Sequence, residues 1–284
     1  MPVTKTFGVD TSQPAGPQAL TDAGKLLIGN DKPKFWGRYF NGTDDDHHQY
    51  QYTSSENAFL RGNRIPVLCW ARQMWAVGDA YANKAVDHAK ENMKGVINAF
   101  GAKYLFDNHI EPRLYLDLEP DGEQPKHAMA QAYYTNWSAA IVAGLTVGGY
   151  TIRFRPAVYL NLRNSKKSVV ALKAARAAGA ECDGVWPAHY IHKSATGGPP
   201  EDTKPDDSNA NVPPPTSDKM EWETEEPWYG DHAPPPDPRL PKLGWQYFGD
   251  YPKPKGDVDL NMVNPEKVDM VLAGTVMPPP HEVL

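Results

Sequence analysis

The chain has 284 residues, a net charge of −6, 40% hydrophobic and 23% charged residues, which is enough apolar material for a sizeable core, and α/β barrels of this length commonly form one domain. The negative balance and the lack of a Lys/Arg-rich block exclude a nucleic-acid binder, whose affinity would come mainly from neutralised phosphates, and favour a neutral partner such as a glycan. No stretch approaches the roughly 20 apolar residues of a membrane span, and MPVTKTFGVD lacks the apolar centre of a signal peptide, so cytoplasmic synthesis is expected.

Short apolar runs alternate with helical patterns along the chain, the signature of parallel βα units. Strands are predicted at Thr6 to Asp10, Phe35 to Phe40, Ile65 to Trp70, Arg113 to Leu118, Ala157 to Leu162, Gly184 to Ala188, Gly244 to Phe248 and Val258 to Asn261. Eight is the number that closes a (β/α)8 TIM-type barrel, here an irregular one. Thr53, Ser54 or Ser55 caps a short helix that reaches Leu60 and breaks at Gly62. Ala82, Val86, Ala89, Met93, Val96, Ile97 and Phe100 recur at three- and four-residue steps and predict a helix with one face on the barrel. Met129 to Ala143 and Ser168 to Ala178 read as further helices, the second stopped by Gly179.

Residues 199–238 stand apart, with 11 prolines and 11 acids against two Lys or Arg. Such a segment buries little apolar surface, so it is expected as an insertion in a single barrel domain of residues 1–284, leaving the face where barrel substrates bind.

The sharpest local signal is Leu114-Tyr-Leu-Asp-Leu-Glu-Pro120. Its Asp117 and Glu119 stand at i and i+2, so both side chains point to one side at the strand's C-terminal end. Two close carboxylates repel, and partial burial favours the neutral form, so one of them should titrate high, as a general acid requires. Asp10 ends the first strand and Asp259 lies on the last; barrel closure makes those strands neighbours. Four acids then converge on one mouth, a constellation suited to glycoside hydrolysis.

Several ordered landmarks resemble the family 25 glycoside hydrolases, lysozymes that cut peptidoglycan: GVD near the start, LDLE in mid-chain, PAVY at 156–159, VWPAHY at 185–190, and WQY at 245–247 followed by VDLN. FWGRYF and YTSSENAFLRGNRIPVLCW are more similar to a sister family of bacterial glycoside-hydrolase-like domains, whose second strand carries an Arg-Tyr pair. The resemblance implies a muramidase that cleaves β-1,4 bonds of the bacterial wall. It makes Glu119 the proton donor, Asp117 its partner in stabilising a charged intermediate, Asp10 and Asp259 the acidic floor, and Gln246 a hydrogen-bonding neighbour.

Strand three departs from the lysozyme pattern, ending in Cys69-Trp70-Ala71-Arg72 where a Tyr-His-Phe type run is usual. Arg38 is expected to point inward and touch substrate; an Arg beside Glu119 would weaken it as an acid. Trp36, Trp70, Trp75, Trp186 and Trp245 could stack on sugar rings, with Trp70, Trp186 and also Tyr159 the better placed, although packing is the commoner fate of a strand tryptophan.

Asp44-Asp-Asp-His-His48 reads as a solvated loop, and His127, His189 and His192 show no mutual ligand spacing, so no metal and no cofactor are expected. Cys69 and Cys182 are read as reduced thiols. No serine-hydrolase elbow, phosphate loop or dinucleotide fingerprint occurs. The expected setting is bacteriolytic, through phage lysis or a specialised secretion system, with a delivery machine or an immunity protein as partner. The alternatives are a non-catalytic barrel that binds glycan or protein, and a structural component of a phage or secretion particle.

Overall fold

The computed structural model describes residues 6–27, 32–40, 51–72, 77–118, 128–161, 166–188, 241–248 and 258–280. The strands are β1 (Phe7–Asp10), β2 (Trp36–Tyr39), β3 (Val67–Arg72), β4 (Arg113–Leu118), β5 (Leu145–Val147), β6 (Tyr150–Ile152), β7 (Arg155–Asn161), β8 (Val185–Ala188), β9 (Gly244–Phe248) and β10 (Asp259–Val263). All but β5 and β6 close into a barrel in the order β1-β10-β9-β8-β7-β4-β3-β2, so the eight predicted runs are the eight barrel strands. The segment 199–238, expected as an insertion, lies outside the described residues.

The helices are α1 (Pro17–Leu26), α2 (Asn57–Gly62), α3 (Ala85–Phe100), α4 (Ala102–Asp107), α5 (Gln131–Ala143), α6 (Lys166–Ala177) and α7 (Val268–Ala273). On α3 the predicted stripe is buried from Ala89 through Met93, Val96 and Ile97 to Phe100, whereas Val86 faces outward. Each large side chain so buried contributes about 1.5–3 kcal/mol. The strands β5 and β6, not foreseen, form an antiparallel hairpin outside the barrel. Gly148 and Gly149 turn it with both φ angles positive, the geometry a two-residue hairpin loop demands. No helix among the described residues is long and apolar enough to cross a membrane.

The barrel is not wholly parallel. Strand β10 runs antiparallel to both of its neighbours, β1 and β9. That reversal brings the first residue of β10, Asp259, level with the last residue of β1, Asp10. A parallel final strand would have put Asp259 at the opposite end.

Side chains alternate across each strand, which sorts them into two layers. Phe35, Leu68, Trp70, Tyr115, Ala157, Tyr159 and Trp186 form an inner cluster that fills the barrel, while Cys69, Leu114, Leu116, Val158 and Leu260 pack outward with the helices. The filling is aromatic: Trp70 meets Tyr115, Tyr159 and Trp186 edge to face, with ring centres 4.8, 5.2 and 5.7 Å apart. Three glycines make the room. A Cβ on Gly8 would lie 2.3 Å from Phe35, one on Gly37 2.4 Å from Trp70, and one on Gly244 2.3 Å from Trp186.

The end opposite Asp10 is closed by Arg113 at the start of β4. Its buried guanidinium donates to Asp183 at 3.0 and 3.1 Å and to the carbonyl of Met270 at 2.9 Å. At the same end Val276 bridges to Val67, Tyr104 donates to the carbonyl of Met277, and Arg61 donates to that of Pro278.

Candidate functional site

Inward-facing positions toward the mouth end of the barrel strands give one ring of described side chains: Asp10, Tyr39, Arg72, Asp117, Tyr159, Ala188, Gln246 and Asp259, with Asn261 one layer below Asp259. The strand registers tie this ring together. Asp10 is the pairing partner of Asp259 and of Gly37, Asp117 of Arg72 and of Tyr159, and Ala188 of Gln246.

Within the ring an amide network holds the acids on β1 and β10. Gln246 Nε2 donates to Asp259 Oδ2 at 2.8 Å and to Asp10 Oδ2 at 3.2 Å, so one side-chain amide spans two carboxylates. Its other end, Oε1, accepts the Tyr159 hydroxyl. Asn261 Nδ2 donates to Asp10 Oδ2 at 2.6 Å, and Asn261 Oδ1 accepts Trp186 Nε1 at 2.8 Å. The orientation of both amides follows from chemistry. An indole N–H can only donate, so the Asn261 oxygen must face Trp186 and its NH2 must face Asp10. Two carboxylates on one side of Gln246 likewise demand its NH2, which leaves the oxygen for Tyr159. Asp10 and Asp259 are thus presented as oriented hydrogen-bond acceptors, able to hold sugar hydroxyls or a water.

Asp117 is buried on the inner face of β4, above Tyr115, whose phenol is pushed up to about 12 by burial, with Arg113 opposing. Glu119 lies outside the described residues, as do Trp75, the acid-histidine run 44–48 and the histidines at 127, 189 and 192. Among the described residues no group of three or more His, Cys, Asp or Glu could hold a metal ion. Cys69 and Cys182 are free thiols; burial pushes both up, Cys182 to about 11, so neither is poised as a nucleophilic thiolate.

Three sequence expectations change in detail. Arg38 does not point into the barrel: it alternates with the inward Gly37 and Tyr39, and its guanidinium meets Glu56 on the outer side of β2. Arg38 Nε and Nη2 each donate to Glu56 at 2.9 Å, and Nη1 donates to the carbonyl of Thr11 at 2.8 Å. Glu56 in turn accepts the amide of Ala15 at 2.6 Å and that of Thr53 at 3.3 Å. The pair is a strut that pins the loop after Asp10, and Arg38 is a positioning residue where a substrate contact was expected. Trp70 and Trp186 are enclosed in the barrel filling, so their ring faces are covered by other aromatics; Trp186 reaches the site through its indole N–H. Trp36 and Trp245 pack in the outer layer.

Asn261 and Glu56 were missed. The same i, i+2 rule that pairs Asp117 with Glu119 would have found Asn261 two residues after Asp259. Thr53-Ser-Ser-Glu56 carries a helix-start signature, and Glu56 does accept the Thr53 amide; nothing in the pattern announces its bond to Arg38.

No family model matches the chain, and no curated protein does. Among solved structures it is similar to an uncharacterized protein of B. stearothermophilus, with a TM-score of 0.55 and 19% identity over 95% of this chain and 99% of that one. That likeness is one of fold. Weaker matches are the Clostridium perfringens spore cortex lytic enzyme SleM, with a TM-score of 0.45 and 14% identity over 93% of this chain and 68% of that one, and the CTP1L endolysin, with 0.43 and 12% over 94% and 69%.

Proposed function

We propose that the chain is a glycoside hydrolase of muramidase type, a single barrel domain that cleaves β-1,4 bonds of peptidoglycan with Glu119 as general acid. The observation that supports this reading is that Asp10 and Asp259 are register partners oriented by a shared amide, at the barrel end toward which β4 carries Asp117. The i, i+2 spacing in the sequence is the ground for pairing Glu119 with Asp117. In this reading Glu119 protonates the leaving oxygen, Asp117 stabilises the positive charge that develops on the sugar, and Asp10 and Asp259 hold hydroxyls or the attacking water. Tyr159 and Gln246 keep those acids in place. Cytoplasmic synthesis followed by release through phage lysis or a specialised secretion system, with a delivery or immunity partner, belongs to the same proposal.

The test is release of reducing ends from purified peptidoglycan by wild type and Glu119→Gln. Loss of general acid catalysis costs about 10²–10⁴-fold, so turnover should collapse while melting temperature and glycan binding persist. An active wild type matched by Glu119→Gln would remove Glu119 from that role. One observation favours a second reading, a barrel that binds glycan without cutting it: Arg72, a cation, is the register neighbour of Asp117. Wild-type protein that binds wall glycan and releases no reducing ends would establish that reading.

A further inference from the structure

Among the described residues the barrel strands carry four arginines, of which Arg155 pairs with Glu111 on the exposed far side; the other three differ in their surroundings. Arg38 is sealed on the outer side of β2 with Glu56, and Arg113 is sealed at the far end with Asp183. Arg72 is partly exposed and stands at the mouth. Its position on β3 alternates with Ala71 and matches Leu68 and Trp70, which face inward. It lies over the ring of Tyr39, 5.4 Å from the centroid, and Tyr39 itself is a partly buried member of the mouth ring. Among the described residues Arg72 is the cation of this ring, two strands away from the acid on β1, three from that on β10, and next to Asp117.

That polarity has a chemical meaning. A mouth carrying Asp10, Asp117 and Asp259 repels an anionic ligand unless a cation faces the ligand's charge. A guanidinium presents its N–H donors in a fixed fork that fits a carboxylate bidentately, and an aromatic face beneath it limits the rotamers it must give up on binding.

We propose that Arg72, seated on Tyr39, is a specificity-determining residue that reads a carboxylate carried by the glycan beside the cleavage point. The substrate class is then an acidic, carboxylate-bearing glycan, in preference to a neutral one. This rests on the reading of the mouth as a glycan site. The carboxylate comes either from an acid attached to the sugar itself or from a peptide borne by it.

The experiment measures binding by calorimetry in the Glu119→Gln background, so that ligand is not consumed, with and without Arg72→Gln or Arg72→Lys. Four probes are used: a neutral chitooligosaccharide, a peptide-free strand of alternating N-acetylglucosamine and N-acetylmuramic acid, that strand with its carboxyls reduced to alcohols, and the strand with its stem peptides. A charge-assisted hydrogen bond contributes about 1.5–3 kcal/mol, so the preference for the carboxylate strand over its reduced form should be about ten- to a hundredfold, and Arg72→Gln should abolish it. Arg72→Lys should keep part of it. A preference seen only with stem peptides present assigns the carboxylate to the peptide. Equal affinity for the native and reduced strands, or equal weakening of both by Arg72→Gln, overturns the inference and leaves the glycan site standing. Failure to bind any of the four probes overturns both. If Arg72→Gln does not fold, salt decides: raising ionic strength should erode the preference of the parent protein, and a salt-independent preference overturns the proposal.

Discussion

The wall formed by β10, β1 and β2 holds carboxylates in two ways, one on each side. Outside, Glu56 is neutralised by Arg38 and receives two backbone amides, so its oxygens are fully engaged and sealed. Inside, Asp10 and Asp259 are held by the uncharged amides of Gln246 and Asn261. A cation cancels the charge it orients, which makes a strut. An amide orients a carboxylate and leaves its charge available to a ligand, which suits a site.

The largest expected effect comes from breaking the strut. Removing one partner of a buried ion pair leaves an uncompensated charge and costs about 3–5 kcal/mol, so Arg38→Met should lower the urea midpoint sharply. Arg38→Met combined with Glu56→Met should recover much of that loss, because two apolar side chains of similar volume leave no buried charge. A double variant as unstable as the sum of the two single ones would mean that the pair does more than close the wall.

Breaking the inner network should cost less stability and more function. Gln246→Leu removes hydrogen bonds to two carboxylates, at about 1.5–3 kcal/mol, and lets those carboxylates repel each other. Glycan affinity should fall well beyond the change in melting behaviour. A variant whose stability drops like that of Arg38→Met while it binds wall glycan normally would place the network among the structural parts of the barrel.

The smallest effect sharpens the contrast by pH, away from both clusters. His88 on α3 shares a hydrogen bond of 3.0 Å with Tyr133 on α5, and burial, aided by Lys84, holds its imidazole below its ordinary 6.5. The folded state therefore prefers neutral His88. Its contribution is complete above the unfolded value and is lost as pH falls through the window beneath it, because the unfolded chain takes up the proton first. His88→Gln should flatten that part of the stability curve measured by denaturant titration. An unchanged slope would assign the acid sensitivity elsewhere.

How much of this was legible in the sequence depends on which strand is considered. In β4 the inward side of Asp117 could be expected from the sequence, where acids stand at i and i+2 at the end of an otherwise apolar run. In β2 it could not: FWGRYF is buried on both faces, so no alternation shows, and a lone Arg38 has no partner two residues away to mark its side. The small Gly37 beneath Trp70 holds that information, but only once β3 is laid beside it. The adjacency of the first and last strands followed from barrel closure, but the meeting of Asp10 with Asp259 also needed β10 to run backwards. That reversal could not be read, since a five-residue strand pattern carries no direction. The strut was hidden for a different reason, because Glu56 sits 18 positions from Arg38 on a separate turn.

The reversed strand β10 also decides how the molecule can be handled. Because it descends from the mouth, the chain beyond it emerges at the far end, where Val276 bridges to Val67 and Pro278 is held by Arg61. A tether attached after Pro280 would therefore seat the barrel with its acidic ring turned away from the support. The end of β9 and the start of β10 also stand together at the rim, so a foreign segment grafted between them would begin and finish beside the acidic ring.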